Sequence, residues 1–334
     1  MKVGHRQANY PDAPPQKRRG VFSELSVTAG TSRLGAALRR LRDRLRAEWT
    51  ALRYCRRYAP AGHFYSPIAS LKDIRSDESR IFGAVPRNIP GIDLREEEQL
   101  RLLAELAGFY PEVPFRPDRT DGLRYCFENL MYSYSDAILL YGMIRHLRPK
   151  RIIEIGSGFS SCVTLDTNEL HFGGAVQTTF IEPHPGLLLS LIKPSDRDRI
   201  RLIPTRLQEV DLSEFDVLGS NDILFVDSTH VSKVDSDVNR IVFEILPRLA
   251  AGVYIHFHDV FFPFEYPRDW ILEGRAWTEA YLLRCFLQYN SAFRIVLMSD
   301  FLHRFHHDFF RENMPLCRKN TGGSLWISRQ GSPA

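Results

Sequence analysis

The chain has no run of 18 apolar residues anywhere in its 334 positions, which argues against a membrane-spanning helix. The first twenty residues hold six charged side chains and no apolar core segment, so a secretory signal is not expected. Cysteine is scarce: there are five, at 55, 126, 162, 285 and 317. They are odd in number, widely scattered and form no CxxC. Neither a disulfide framework nor a zinc site is expected, and a cytoplasmic location follows as the default. Internal repeats and low-complexity tracts are lacking too. What is there is a globular composition, 44% hydrophobic and 25% charged, which excludes general disorder. A chain of this length can bury a sizeable core.

Charge is unevenly placed. Residues 1–57 carry fourteen lysines and arginines against four acids, a net +10, while the whole chain is +4. The remainder is therefore mildly acidic, and its net charge gives no reason to expect a nucleic-acid-binding surface. Residues 1–32 are rich in Pro, Gly, Ser and charge and are expected to form a mobile basic arm. Leu34, Leu38, Leu41, Leu45, Trp49 and Leu52 then recur at spacings of three and four. They predict an amphipathic helix with arginines on its other faces. Such a helix would pack on its own domain or on a second copy of the chain, making a homo-oligomer. A membrane-surface or polyanion-binding helix is the alternative, and RNA binding ranks last because no lysine/aromatic interleaving accompanies the arginines.

Residues 33–130 are read as this helix followed by an irregular and helical extension. Prolines at 60, 67, 86 and 90 mark a segment wrapped over the body. Asp93, with Glu96 three residues on, predicts a capping box opening a helix to about Phe109. A second helix is expected over Ser135–Leu147, before Pro149. From 131 to 330 short β-rich runs alternate with helical stretches: RIIEIG (151–156), TTFIEP (178–183), RIRLIP (199–204), DILFVD (222–227), VYIHFHD (253–259), FRIVLMS (293–299) and GSLWIS (323–328). Between the fourth and fifth, Val238, Ile241, Val242, Ile245, Leu246 and Leu249 trace a helical face. Strand–helix alternation with apolar strands implies an α/β fold with a mostly parallel sheet covered on both faces.

The first strand ends in EIGSGFSS (154–161). Glycines at 156 and 158 allow a sharp turn and close approach to a ligand. A dinucleotide fingerprint would want glycine at 161, where this chain has serine, so a nicotinamide-dependent oxidoreductase is disfavoured. Glu154 within the strand is more telling, because a buried strand end rarely carries a carboxylate without a partner. The next strand ends in Glu182, where an acid can accept both hydroxyls of a ribose. The fourth strand ends in VDSTH (226–230) and the fifth in HFHD (256–259). A strand–helix–strand unit would bring Asp227 and Asp259 together at the sheet edge where open α/β folds bind ligands. Two carboxylates and a histidine there can hold a divalent cation, which would lower the pKa of a substrate hydroxyl. His230, with an ordinary pKa near 6.5, is suited to take that proton. His256 is read as a core histidine. Five aromatics in 260–270 either wall a substrate pocket or cover the sheet edge.

The E-x-G-x-G of Glu154, Gly156 and Gly158, followed by Glu182, resembles the class I S-adenosylmethionine-dependent methyltransferases over roughly 130–330. The resemblance implies a Rossmann-like seven-stranded sheet with a terminal antiparallel hairpin. It also implies S-adenosylmethionine as cofactor, with Glu154, Gly156, Ser157, Gly158, Ser160, Glu182 and Asp227 around it. Within that family the ends of strands four and five look like those of metal-dependent small-molecule O-methyltransferases. There Asp227, His258 and Asp259 would be the metal ligands, with histidine replacing one of the family's two acids. That replacement shifts the expected metal from Mg toward Mn, Fe or Zn. Asp227 and His230 are the candidate catalytic pair. The expected acceptor is a small-molecule hydroxyl of sugar, polyketide or phenol type. A nucleic-acid methyltransferase tethered by the basic arm is the alternative, opposed by VDSTH standing where Asn/Asp-Pro-Pro-aromatic would be. A non-catalytic cofactor-binding scaffold is a third reading.

Overall fold

Seven short β-branched and apolar runs form one sheet: β1 (Arg151–Ile155), β2 (Gln177–Ile181), β3 (Arg201–Ile203), β4 (Ile223–Val226), β5 (Tyr254–Phe257), β6 (Phe293–Met298) and β7 (Leu325–Arg329). The computed structural model describes residues 58–331, so the basic arm and the helix expected over 34–52 lie outside the described residues. The strand order is β3-β2-β1-β4-β5-β7-β6. The first five strands run parallel, and β7 lies antiparallel between β5 and β6. This is the expected mostly parallel sheet with its terminal antiparallel hairpin. All four residues of β4 are buried, as a central strand covered on both faces requires.

Helices α1 (Leu71–Ser76), α2 (Glu78–Ile81), α3 (Glu96–Ala107) and α4 (Ser135–Leu147) precede the sheet. Helices α5 (Phe159–Phe172) and α6 (Gly186–Leu191) follow β1 and β2, and α7 (Asp237–Arg240) follows β4. Helices α8 (Arg268–Leu272) and α9 (Glu279–Leu287) lie between β5 and β6, with α10 (Ser299–Phe305) and α11 (His307–Asn313) between β6 and β7. Helix α4 is buried nearly all round, the mark of a core helix. It closes at Arg148 in the left-handed region, one residue before Pro149. Helix α7 continues through a π turn, Ile241–Ile245, and a 3-10 turn, Leu246–Arg248. Pro247 lacks the N–H that a continuing α-helix needs. The expected apolar face, Val238 to Leu249, is buried. No helix among the described residues is long and apolar enough to cross a membrane.

Two features differ from the sequence expectation. Helix α3 starts at Glu96, and the capping box at Asp93 does not form. Asp93 Oδ1 instead accepts the Arg95 N–H at 2.9 Å, Arg95 is left-handed at φ 52, and Glu96 faces Arg87 and His306. The anchor is buried Gln99, which donates to the Leu94 carbonyl at 2.5 Å and accepts the Met298 N–H of β6 at 2.7 Å. Second, no boundary falls at 130: from Ala61 onward the chain forms one compact unit. Arg124 ties the preceding stretch down. Its guanidinium donates to Asp166 and Asp196, each at 2.7 Å, and the Asp166 carboxylate also accepts the main-chain N–H groups of Arg124 and Tyr125. Between β6 and β7, His303 of α10 stacks on Phe310 of α11 at 3.6 Å and meets Ser135 Oγ at 3.0 Å.

Candidate active site

Sheet register places the key residues in one row. Ile181, Ile155, Val226 and Phe257 are mutual partners at the carboxyl ends of β2, β1, β4 and β5. The next residue of each strand is therefore Glu182, Gly156, Asp227 or His258. Main-chain bonds continue the row: Gly156 N–H to Ile181, Asp227 N–H to Ile155 and His258 N–H to Val226. The strand order reverses between β1 and β4, which opens a crevice at this edge.

The two glycines of the β1 turn differ. Gly156 has φ +80, and a Cβ there would lie 1.9 Å from the Asp227 carbonyl oxygen. Only glycine lets the ends of β1 and β4 approach so closely. Gly158 has φ 178, extended backbone open to any residue, so its expected role in a sharp turn is not needed. Glu154 is fully buried. Its Oε1 accepts the hydroxyls of Ser160 at 2.6 Å and Ser161 at 2.8 Å, while Oε2 has no partner. Burial pushes this carboxyl up to about 8, against the pull of the two serines. Ser160, expected at the cofactor, thus holds Glu154. Ser161, noticed only as a departure from a dinucleotide motif, does the same and also accepts the Gly158 N–H at 3.1 Å. Glu182 accepts the N–H of Ser157 at 3.2 Å and of His184 at 2.7 Å.

At the ends of β4 and β5 four side chains converge. His230 Nε2 lies 3.4 Å from Asp227 Oδ1 and 3.8 Å from Asp259 Oδ2. His258 Nδ1 lies 3.4 Å from Asp227 Oδ1, and its Nε2 3.7 Å from Asp259 Oδ1. Two residues that the sequence did not single out stand behind them. Glu279, 1% exposed at the start of α9, contacts His230 Nδ1 at 2.8 Å. Asp136, in the first turn of α4, lies 3.6 Å from His258 Nε2 and accepts the Ser324 hydroxyl at 2.6 Å. Burial opposes charge on His230, but Asp227 and Glu279 outweigh it and raise the imidazole to about 10. Burial likewise opposes charge on His258, and Asp259 and Asp227 raise it well above the usual range. The same imidazoles hold Asp227 far below the usual carboxylate range despite its enclosure. Asp259 goes the other way: burial raises it, and the two histidines only partly offset that. His230 and Asp259 both occupy the left-handed region, at φ 59 and 58. Non-glycine residues held there mark sites that the surrounding structure over-determines.

A family model described as a methyltransferase domain matches residues 153–260, the stretch that carries Glu154, Gly156, Glu182, Asp227, His230, His258 and Asp259. An uncharacterized protein of Archaeoglobus fulgidus is 39% identical over 166 residues, 48% of this chain and 74% of that protein. The chain belongs to the class I S-adenosylmethionine-dependent methyltransferases. Solved structures of related shape include the S-adenosylhomocysteine-bound methyltransferase PaMTH1 of Podospora anserina, at 14% identity, 77% of this chain, 96% of that one and a TM-score of 0.38. The O-methyltransferase TomG of Streptomyces achromogenes with S-adenosylmethionine matches at 14% identity, 77% and 96% coverage and a TM-score of 0.40. Both likenesses are too distant to bear on activity.

The crevice of this methyltransferase suits its cofactor. Two buried oxygens at the β1 turn, Glu154 Oε2 and Ser157 Oγ, have no partner among the described residues, and the absent Cβ of Gly156 keeps the strand ends close. The expected metal ligands are differently arranged. Asp227, His258 and Asp259 meet as an ion-pair network, and among the described residues no three His, Cys, Asp or Glu side chains are placed to hold a metal ion. For His230, against the effect of burial, the neighbouring Asp227 and Glu279 favour the charged ring over the free base, raising it to about 10. His256 is a core histidine as expected, stacked on Phe225 at 4.2 Å and contacting Ser324 Oγ at 3.0 Å. Burial lowers it to about 3. Of the 260–270 aromatics, Phe262 and Phe264 are core residues, while Tyr266 lines a cavity.

Proposed function

We propose that this methyltransferase methylates a hydroxyl oxygen of a small molecule at the Asp227–His230–His258–Asp259 cluster. The observation that carries the proposal is the convergence of these four side chains at the carboxyl ends of β4 and β5, beside the Gly156 turn. Bound in the crevice, S-adenosylmethionine supplies the methyl group as a sulfonium. Glu182, at the end of β2, would hold the ribose hydroxyls. Glu154, braced by Ser160 and Ser161, would orient the cofactor's amino group indirectly, with Ser157 and Asp227 alongside. Asp259 is the proton acceptor in this proposal, because burial has raised its carboxyl and a base nearer the acceptor's pKa is more effective. His230 and His258 place positive charge where an alkoxide develops, the interaction that lowers such a barrier most. Glu279 and Asp136 keep the two rings oriented. The donor atoms of Asp227, His258 and Asp259 do not form a ligand set, so no step is routed through a cation.

The test is release of S-adenosylhomocysteine during incubation with S-adenosylmethionine and a panel of phenolic, polyketide and sugar hydroxyl acceptors. Turnover with a hydroxyl acceptor is expected, and Asp259→Asn should abolish it while leaving S-adenosylhomocysteine binding intact. An Asp259→Asn variant with full turnover would remove Asp259 from the role assigned here.

A further inference from the structure

Helices α1 and α2 have apolar side chains at Leu71, Ile74 and Ile81, yet neither helix buries a single residue. Those side chains are half-buried and line a cavity. A cavity of about 610 Å³ lies between residues 61–82 and residues 265–281. The volume falls in the range of sites that enclose a drug-sized ligand. The two walls are tied across it by an ion pair between Glu78 and Arg268. The opposite wall carries Tyr266, Trp277 and Tyr281, with Phe82 facing them from the first.

The cavity adjoins the acid–histidine cluster. The Trp277 ring lies 4.3 Å from the His230 ring. The His230 carbonyl accepts the N–H groups of Thr278 and Glu279, so the wall and the cluster share one stretch of backbone. Most of the hydroxyls in the wall are already engaged. Tyr281 donates to Glu265 Oε1 at 2.5 Å, and that oxygen also accepts the Tyr266 N–H at 2.9 Å. Tyr266 Oη accepts the Ala280 N–H, Thr278 Oγ1 accepts the Ser232 N–H, and Ser70 Oγ accepts the Asp73 N–H. The Arg275 guanidinium carbon sits over the Trp270 and Trp277 rings, 4.2 and 5.1 Å from their centres. A sugar ring would bury several hydroxyls here without partners, at a cost. A flat apolar ring would gain offset and edge-to-face contacts with four aromatic side chains.

We infer that this cavity, walled on one side by residues 61–82, is the acceptor pocket and that it takes an aromatic or polycyclic hydroxy compound rather than a sugar. The inference rests on the reading above that hydroxyl methylation occurs at the adjoining cluster. Trp277, which lines the cavity and touches the His230 ring, is then a specificity residue.

The test uses the full chain with 2-naphthol as the flat probe and methyl glucoside as the sugar control. Binding is followed by tryptophan fluorescence and, separately, S-adenosylhomocysteine binding by calorimetry. 2-Naphthol should quench fluorescence saturably, and methyl glucoside should not. Ala276→Phe, which fills the cavity from one wall, should weaken 2-naphthol by about tenfold or more, a loss worth roughly 1.4 kcal/mol. Ala69→Phe should do the same from the other wall, so a folding failure in one variant leaves the other informative. Both should bind S-adenosylhomocysteine as the parent does. Absence of saturable 2-naphthol binding, or binding unchanged in both filled variants, would overturn the pocket assignment. Saturable 2-naphthol binding without any S-adenosylhomocysteine binding would instead leave the pocket standing and remove the methyl-transfer reading.

Discussion

Gly156→Ala is the substitution whose consequence the structure fixes most closely. The native backbone there is left-handed at φ +80, and the added Cβ would meet the Asp227 carbonyl oxygen at 1.9 Å. Holding an L-residue in that region costs about 1–2 kcal/mol. Overpacking that moves main chain adds roughly 1–3 kcal/mol. The expected loss is thus about 2–5 kcal/mol of unfolding free energy. Relief of the clash must push the ends of β1 and β4 apart, which moves Asp227 away from the β1 turn. Gly158→Ala is the control: its backbone is extended, and its Cβ would touch only the flexible end of Leu187 at 3.3 Å. That variant should stay within about 0.5 kcal/mol of the parent. Urea denaturation of the three proteins measures the difference. Equal stability of Gly156→Ala and Gly158→Ala would refute the argument that strand-end approach, rather than turn formation as such, demands the first glycine.

Three further outcomes are expected. Arg124→Leu leaves buried Asp166 and Asp196 without their cation and should cost about 3–5 kcal/mol in the same denaturation assay; a loss below 1 kcal/mol would contradict the ion-pair account. Imidazole NMR should find His230 charged throughout pH 6–8, since its folded pKa is raised to about 10. Its contribution to stability is then complete below the ordinary value near 6.5 and is lost as pH climbs through 10. Glu279→Gln should bring that titration down toward neutrality, and a parent His230 titrating near 6.5 would contradict the network. Glu154 is protonated below about 8 in the unliganded chain, and the cofactor's ammonium favours the charged form. S-adenosylhomocysteine affinity should therefore rise from pH 6 to 8, with proton release seen by calorimetry in two buffers. Glu154→Gln should abolish the release.

The sheet was legible because its strands are short apolar runs that end in Gly, Glu or Asp at a shared edge, and their order follows from strand–helix alternation. Glu182, Gly156 and Asp227 could be named for that reason: each directly follows a strand. The cap at Asp93 misled because the side chain that positions α3 is Gln99, whose partner Met298 is distant in sequence. Asp136, Glu279 and Arg124 escaped notice for the same cause. Each is one acid or base among many in the sequence, and its partner lies an element or more away. The charge states of His230 and His258 were equally hidden, since they depend on how many carboxylates surround each ring. Ser161 was in plain view, and its spacing from Glu154 across the turn would have sufficed to pair them.

Isothermal titration of the full chain with S-adenosylhomocysteine tests the central claim most directly, run for the parent and for Glu182→Ala, each with and without a chelator. The account predicts binding near 1 μM, about −8 kcal/mol, lost in Glu182→Ala and unchanged by the chelator. Binding that Glu182→Ala leaves intact would contradict the placement of the cofactor, and binding that the chelator abolishes would contradict the metal-free reading of the acid–histidine cluster.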